Sequence, residues 1–170
     1  KPVSATGSLK TVSDCPIILF RQRKTIMAVN TISKTVYANH SAEQMFELVD
    51  RVEDYPRFLP WYGRTEVLSR QGNELRARLH MDYMGMRQSF ATRNTNVPGR
   101  EIRMELLEGP FRSLHGIWQF TPLEDGRCKV DFRLQYELVG LLSRLISPVF
   151  GGVCNRLVEA FVQEADRRYA

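Results

Sequence analysis

Val130, Phe132, Leu134, Tyr136 and Leu138 alternate with Lys129, Asp131, Arg133, Gln135 and Glu137. A period of two residues marks a strand with one buried face. The same alternation sets Leu75, Ala77, Leu79, Met81 and Tyr83 against Arg76, Arg78, His80 and Asp82. Further strands are predicted over Thr65–Ser69 and Arg87–Asn94, and around Ile102, Met104 and Leu106, and Leu114, Gly116, Trp118 and Phe120. Between them lie the turn signals Gln71-Gly72-Asn73, Gly85, Pro98-Gly99, Gly109-Pro110 and Glu124-Asp125-Gly126, where Gly, Pro, Asn and Asp allow the chain to reverse. An earlier strand is expected over Asn30–Tyr37, which is rich in β-branched residues and ends on a tyrosine.

Helical signals stand on either side of this series. Ser41 followed by Gln44 fits a capping box, and Met45, Phe46, Leu48 and Val49 supply the apolar stripe of a short helix. A second helical turn is expected from Glu53 to Phe58, held compact by Pro56 and Pro60. At the end, Leu142, Ile146, Val149, Val153, Leu157, Phe161 and Ala165 recur at spacings of three and four. They predict a helix over about 142–168, kinked or broken near Pro148 because proline removes a backbone donor. The fold class is therefore α+β. It is a curved antiparallel sheet in the order β-α-α-β6-α, wrapped around a long C-terminal helix that must bury its stripe on the one apolar face. Such a grip leaves a cavity between helix and sheet, where a ligand would sit.

Composition narrows the function. The chain has 170 residues, 43% hydrophobic and 25% charged, enough for a single core without cross-links. Cys15, Cys128 and Cys154 are odd in number and far apart, which argues against a disulfide framework or a zinc site and for a reducing compartment, here the cytoplasm. His40, His80 and His115 are scattered as well, so no metal site is expected. No uninterrupted apolar run reaches the roughly 18 residues of a membrane span. The formal charge is +5, but residues 1–26 hold Lys1, Lys10, Arg21, Arg23 and Lys24 against Asp14, leaving only +1 for residues 27–170. Residues 1–26 are thus read as a disordered upstream extension or expression remnant, with a basic targeting arm as the rival, and 27–170 as the folded domain. A role in binding DNA does not follow from the basic pI.

Three stretches carry a family resemblance. Val52-Glu53-Asp54-Tyr55-Pro56-Arg57-Phe58-Leu59-Pro60-Trp61 looks like a "YPxFLPW" segment after a first helix. Gly109-Pro110-Phe111 with Leu114, Gly116, Trp118 and Phe120 resembles a "GPF…L.G.W.F" strand, and Leu157-Val158-Glu159-Ala160-Phe161 a C-terminal "…AF" helix. Together they resemble the coenzyme-Q-binding and RatA (ribosome-association toxin) branch of the START-like superfamily, over residues 30–170. In that branch a Cys often follows the Trp of the first segment, where Tyr62 stands here. The resemblance implies a helix-grip fold and a non-enzymatic binding protein with no required cofactor. Its ligand would be a polyprenyl quinone (ubiquinone) or similar apolar lipid supporting respiration, with contact at the periphery of the inner membrane. The alternative it implies is a toxin that binds the large ribosomal subunit and blocks subunit association. A cyclase or aromatase is a more distant alternative.

The expected cavity lining is Leu79, Met81, Tyr83, Phe90, Met104, Trp118, Phe120, Phe132, Tyr136, Val153, Leu157 and Phe161, with a plainly packed core as the competing reading. Tyr55, Pro56, Phe58, Leu59, Pro60 and Trp61 form a candidate lid or interface. Tyr55, Phe58, Trp61 and Tyr62 are expected to be exposed or half-exposed there, as a lid, an anchor at a membrane or protein surface, or a simple end cap. Arg76, Arg78, Arg87, Arg93 and Arg103 are candidate ribosomal-RNA contacts, since guanidinium forks suit phosphate. The competing reading pairs them with Glu74, Asp82, Glu101 and Glu105 on a solvated sheet face. Catalysis would have to draw on His80, His115, Asp82, Glu137 or Tyr136. No nucleophile–base set can be assembled from these, so no catalytic residue is assigned.

Overall fold

The computed structural model describes residues 29–170; the reading of residues 1–26 lies outside them. Strand β1 (Asn30–Ala38) is followed by helix α1 (Ala42–Asp50) and a 3-10 helix (Val52–Arg57). Six strands come next: β2 (Tyr62–Gln71), β3 (Glu74–Tyr83), β4 (Met86–Val97), β5 (Glu101–Glu108), β6 (Phe111–Pro122) and β7 (Cys128–Leu138). The chain then ends in α2 (Leu142–Arg168). The expected order stands, except that its second helix is the tighter 3-10 form. The sheet order is β1-β7-β6-β5-β4-β3-β2, a meander in which only β1 is displaced to pair with β7.

Local chemistry sets the ends of these elements. Ser41 caps α1: its hydroxyl accepts from the Gln44 amide at 3.2 Å, and Gln44 Oε1 accepts from the Ser41 amide at 2.9 Å. Gly109, at φ +148°, could not carry a side chain, because a Cβ there would lie 2.6 Å from Phe90 Cβ. At Gly116 the missing Cβ leaves room for the flexible end of Met104, whose Cε would otherwise lie 2.2 Å away and have to shift. Two glycines of the "GPF…L.G.W.F" stretch thus admit neighbouring side chains to the concave face.

α2 is continuous through Pro148, so the break that was one of the two expectations there does not occur. Pro148 lies on the exposed side of the helix, so the Arg144 carbonyl that loses its donor faces solvent rather than the core. From Ser143 to Arg168 this helix is also long and apolar enough, by composition, to cross a membrane. Its inner seam of Ile146, Phe150, Val153, Leu157 and Phe161 is nonetheless buried in the grip, as the core helix of the domain.

Candidate functional site

The concave face of the sheet and the seam of α2 enclose an apolar cavity of about 50 Å³. Of the expected lining, Leu79, Phe90, Met104, Trp118, Phe132 and Leu157 reach it. Met81, Phe120, Tyr136, Val153 and Phe161 are buried elsewhere in the same core. Tyr83 is half-buried, and its hydroxyl accepts from Arg156 Nη1 at 3.4 Å. The alternation missed Thr92, Asn94, Phe150 and Cys154 on the wall.

The cavity has an axis. Phe90, Phe111, Tyr136 and Phe150 interlock at one end, with ring centroids 4.8 to 6.3 Å apart. This is the end of the sheet where β4 and β6 begin and β7 finishes. Four residues further along β4, opposite Leu75 on β3, Asn94 brings an amide to the wall. Asn94 is 4% exposed, and its Oδ1 has no hydrogen-bond partner among the described residues. A buried polar atom left unpaired costs about 1–3 kcal/mol, so its persistence inside an apolar wall needs an explanation. Beyond it, Asn96 Nδ2 donates to Asp50 Oδ1 at 2.6 Å.

The titratable groups on the wall are Tyr55, Tyr62 and Cys154. Burial raises both phenols well above their usual range and pushes the Cys154 thiol up to about 12. All three are protonated near neutral pH, so among the described residues the wall offers hydrogen bonds and apolar contact but no acid–base pair. The residues considered for catalysis stand elsewhere. His80 Nε2 lies 2.8 Å from Glu66 Oε1 on the convex face, and Asp82 accepts from Arg87 Nε at 3.1 Å. His115 and Glu137 also face outward, and Tyr136 belongs to the aromatic cluster at the cavity end. A larger hollow, about 610 Å³, is a surface groove on the convex side lined by Arg64, His80, Asp82 and Arg87. Its charges satisfy one another or Glu66, so it presents no unmet chemistry.

The expected exposure of the Tyr55–Trp61 segment is corrected by the structure. Tyr55, Leu59, Trp61 and Tyr62 are buried, Phe58 is half-buried, and Pro56, Arg57 and Pro60 lie on the surface. The 3-10 helix turns the aromatic rings inward. The Tyr55 hydroxyl donates to the Val49 carbonyl at 2.5 Å, and Tyr55 and Phe58 each pack on Phe161 at 5.3 Å. The segment therefore plugs one end of the grip and offers no aromatic anchor to the outside.

The five arginines do occupy the outer face, and each meets a carboxylate. Arg76 pairs with Glu74 at 2.8 Å, Arg78 with Glu108 at 2.5 Å, Arg87 with Asp82 at 3.1 Å, and Arg103 with Glu101 at 2.5 Å. Arg93 pairs with Glu105. Five positive charges thus stand against five negative ones, and no spare field is left for phosphate.

Comparison with known proteins agrees with this architecture. The family described as polyketide cyclase / dehydrase and lipid transport matches residues 38–162. The chain is 37% identical over 139 residues to the ribosome association toxin RatA of Pseudomonas aeruginosa, covering 81% of this chain and 96% of that protein. It is 32% identical over 142 residues to the mitochondrial coenzyme Q-binding protein COQ10 homolog B of Xenopus laevis, covering 81% of this chain and 58% of that protein. Among solved structures, the Zhui aromatase/cyclase from Streptomyces superposes with a TM-score of 0.74 at 20% identity, covering 84% of this chain and 97% of that one. A START superfamily protein from Mycobacterium smegmatis gives 0.69 at 21% identity, covering 81% and 97%. At these identities the two structures show the fold alone. The chain belongs to the polyketide cyclase / dehydrase and lipid transport family, within the group that includes the RatA proteins.

Proposed function

We propose that this chain is a non-enzymatic carrier of a prenylated quinone, held with its ring against Asn94 and its isoprenoid tail toward the aromatic cluster of Phe90, Phe111, Tyr136 and Phe150. The observation that carries this reading is the Asn94 amide oxygen, unpaired among the described residues and set in a mostly apolar wall. An amide suits both redox states of such a head group: its N–H donates to a quinone carbonyl, and its oxygen accepts from a quinol hydroxyl. The tail needs no polar partner, since each buried CH₂ contributes about 0.8 kcal/mol. The name of the Xenopus laevis relative, a coenzyme Q-binding protein, supports the same ligand class.

The cavity of about 50 Å³ holds one or two waters, whereas small-molecule sites take about 300–1,000 Å³. Loading therefore requires the wall to move. The first half of α2, with Pro148 and Gly151-Gly152 and with no side-chain cap at its start, is the part of the wall with the weakest local support. The test is extraction and mass spectrometry of protein purified from a quinone-producing bacterium. Wild type is expected to carry a prenylquinone in stoichiometric amount, Asn94→Leu a fraction of it, and a folded Trp118→Asp variant none. An empty wild type would contradict the proposal.

A second reading, ribosome association, is favoured by the 96% coverage of the Pseudomonas aeruginosa toxin. Because the five outer-face arginines are paired, such docking would rest on arginines without a carboxylate partner among the described residues, such as Arg112 and Arg133. Salt-sensitive cosedimentation with the large subunit, lost in Arg112→Glu/Arg133→Glu, is the expected result of that reading. Sedimentation unchanged by the double substitution would remove this surface.

A further inference from the structure

Val139, Leu141 and Leu145 are exposed around the start of α2, Leu141 at 82% and Leu145 at 67%. Strand register brings more apolar surface to the same end of the sheet. Tyr83 pairs with Met86, so the intervening Met84 lies at this end, 79% exposed. Phe111 pairs with Leu138, and the Val139 amide donates to the Pro110 carbonyl at 3.3 Å. Asn30 pairs with Tyr136, which places the exposed Val29 here as well. Isolated exposed apolar side chains are ordinary, but a group at one pole of a domain marks a contact surface.

The charge pattern identifies what it contacts. From Val139 to Val158 the chain has no Asp or Glu, and its only charges are Arg144 and Arg156. Pro148 and Gly152 are exposed and Val149 and Gly151 half-exposed along the stretch between them. A helix face turned to water normally carries charge, as the second half of α2 does with Glu159, Asp166 and Arg167. Aliphatic side chains bracketed by arginines, with no acid in the helix segment, match the boundary of an anionic bilayer. A second copy of this chain would meet like charge.

We propose that this pole, built from Met84, Val139, Leu141, Leu145 and the acid-free first half of α2, is a docking surface for an anionic lipid membrane. Leu141 and Leu145 enter the headgroup boundary, while Arg144 and Arg156 meet lipid phosphates. The inference stands apart from the ligand reading, because vesicles without quinone read it directly.

The test is cosedimentation of the full chain with quinone-free vesicles of phosphatidylcholine alone or mixed with phosphatidylglycerol. Wild type is expected to partition onto the mixed vesicles, with salt weakening the binding. Leu141→Glu/Leu145→Glu should lower the partition coefficient at least about tenfold, from two lost apolar contacts and two added anionic charges. Arg144→Gln should lower it about fivefold on mixed vesicles and little on neutral ones. These side chains are exposed, so unchanged circular dichroism and melting are expected. Wild type that stays in the supernatant overturns the proposal, as does a double variant that binds like wild type. A dimer in light scattering that the double variant dissociates, without vesicle binding, would instead give this face to a second copy.

Discussion

The two halves of α2 are built for opposite tasks. From Asn155 onward the helix is tied down on every side. Lys34 Nζ reaches Glu159 at 3.3 Å, His40 Nε2 lies 2.6 Å from Asp166, and Arg168 bridges Asp54 at 3.2 Å and Glu164 at 3.1 Å. Phe161 sits among Tyr55, Phe58 and Trp118 at 5.3 Å from each. Before Asn155 there is no side-chain cap, no ion pair among the described residues and no charge after Arg144, but there are a proline and two glycines. That half is held chiefly by Phe150 against the aromatic cluster. On the proposed carrier function, one helix joins a clamp to a gate: the second half keeps the fold, and the first half is the part of the wall that would open to admit a ligand.

The largest expected effect tests the clamp. Phe161→Ala should cost about 3–5 kcal/mol in urea unfolding, since it empties the centre of a packed aromatic group. A loss below about 1 kcal/mol would mean that the second half of α2 does not anchor the fold.

Next comes the acid edge of the same clamp. Glu164 is buried, and its hydrogen bonds to Arg167, then to Arg168, hold its carboxyl below the usual 4.5. A folded-state pKa below the unfolded one adds stability above the unfolded value and loses it as pH falls through the folded value. Wild type should therefore weaken as pH drops below about 4.5. Glu164→Gln should be less stable than wild type at neutral pH and lose less on acidification. Identical pH profiles for the two proteins would show that Glu164 does not carry this linkage.

The smallest effect tests the gate. A Cβ on Gly152 would meet nothing within 4 Å, so Gly152→Ala should stabilise the helix by about 0.5–1 kcal/mol. It should also slow hydrogen exchange across residues 145–153 and slow ligand uptake. Uptake at the wild-type rate, in a variant whose exchange has slowed, would separate this segment from loading.

The contrast also explains what could be read from the sequence. Strands β3 and β7 were legible because strict alternation fixes which face is buried, and α1 because its capping box closes on itself. The Tyr55–Trp61 segment was misjudged because a short 3-10 helix has no period to set its phase. Its aromatic rings turned inward although two prolines marked it as surface. The wall residues Thr92 and Asn94 were missed for a related reason. Counting every second residue from Phe90 reaches them, but a polar residue at an inward position looks like a break in the pattern. The paired arginines were foreseeable as one of two readings, and only the register could choose. The weak half of α2 was visible in Pro148 and Gly151-Gly152, from which a kink or a break was expected; the exposed position of Pro148 lets the helix continue without the break.

The most direct test of the central claim uses Trp118 itself. The sequence has two tryptophans. Trp61→Phe removes the one outside the cavity, whose Nε1 has no partner among the described residues, and leaves Trp118 on the wall as the only indole. Titration of that protein with a short-chain ubiquinone should quench Trp118 fluorescence saturably. Adding Asn94→Leu should weaken the affinity about two- to tenfold, the worth of one neutral hydrogen bond. Quenching that never saturates, or an affinity unchanged by Asn94→Leu, would contradict a quinone ring held at Asn94.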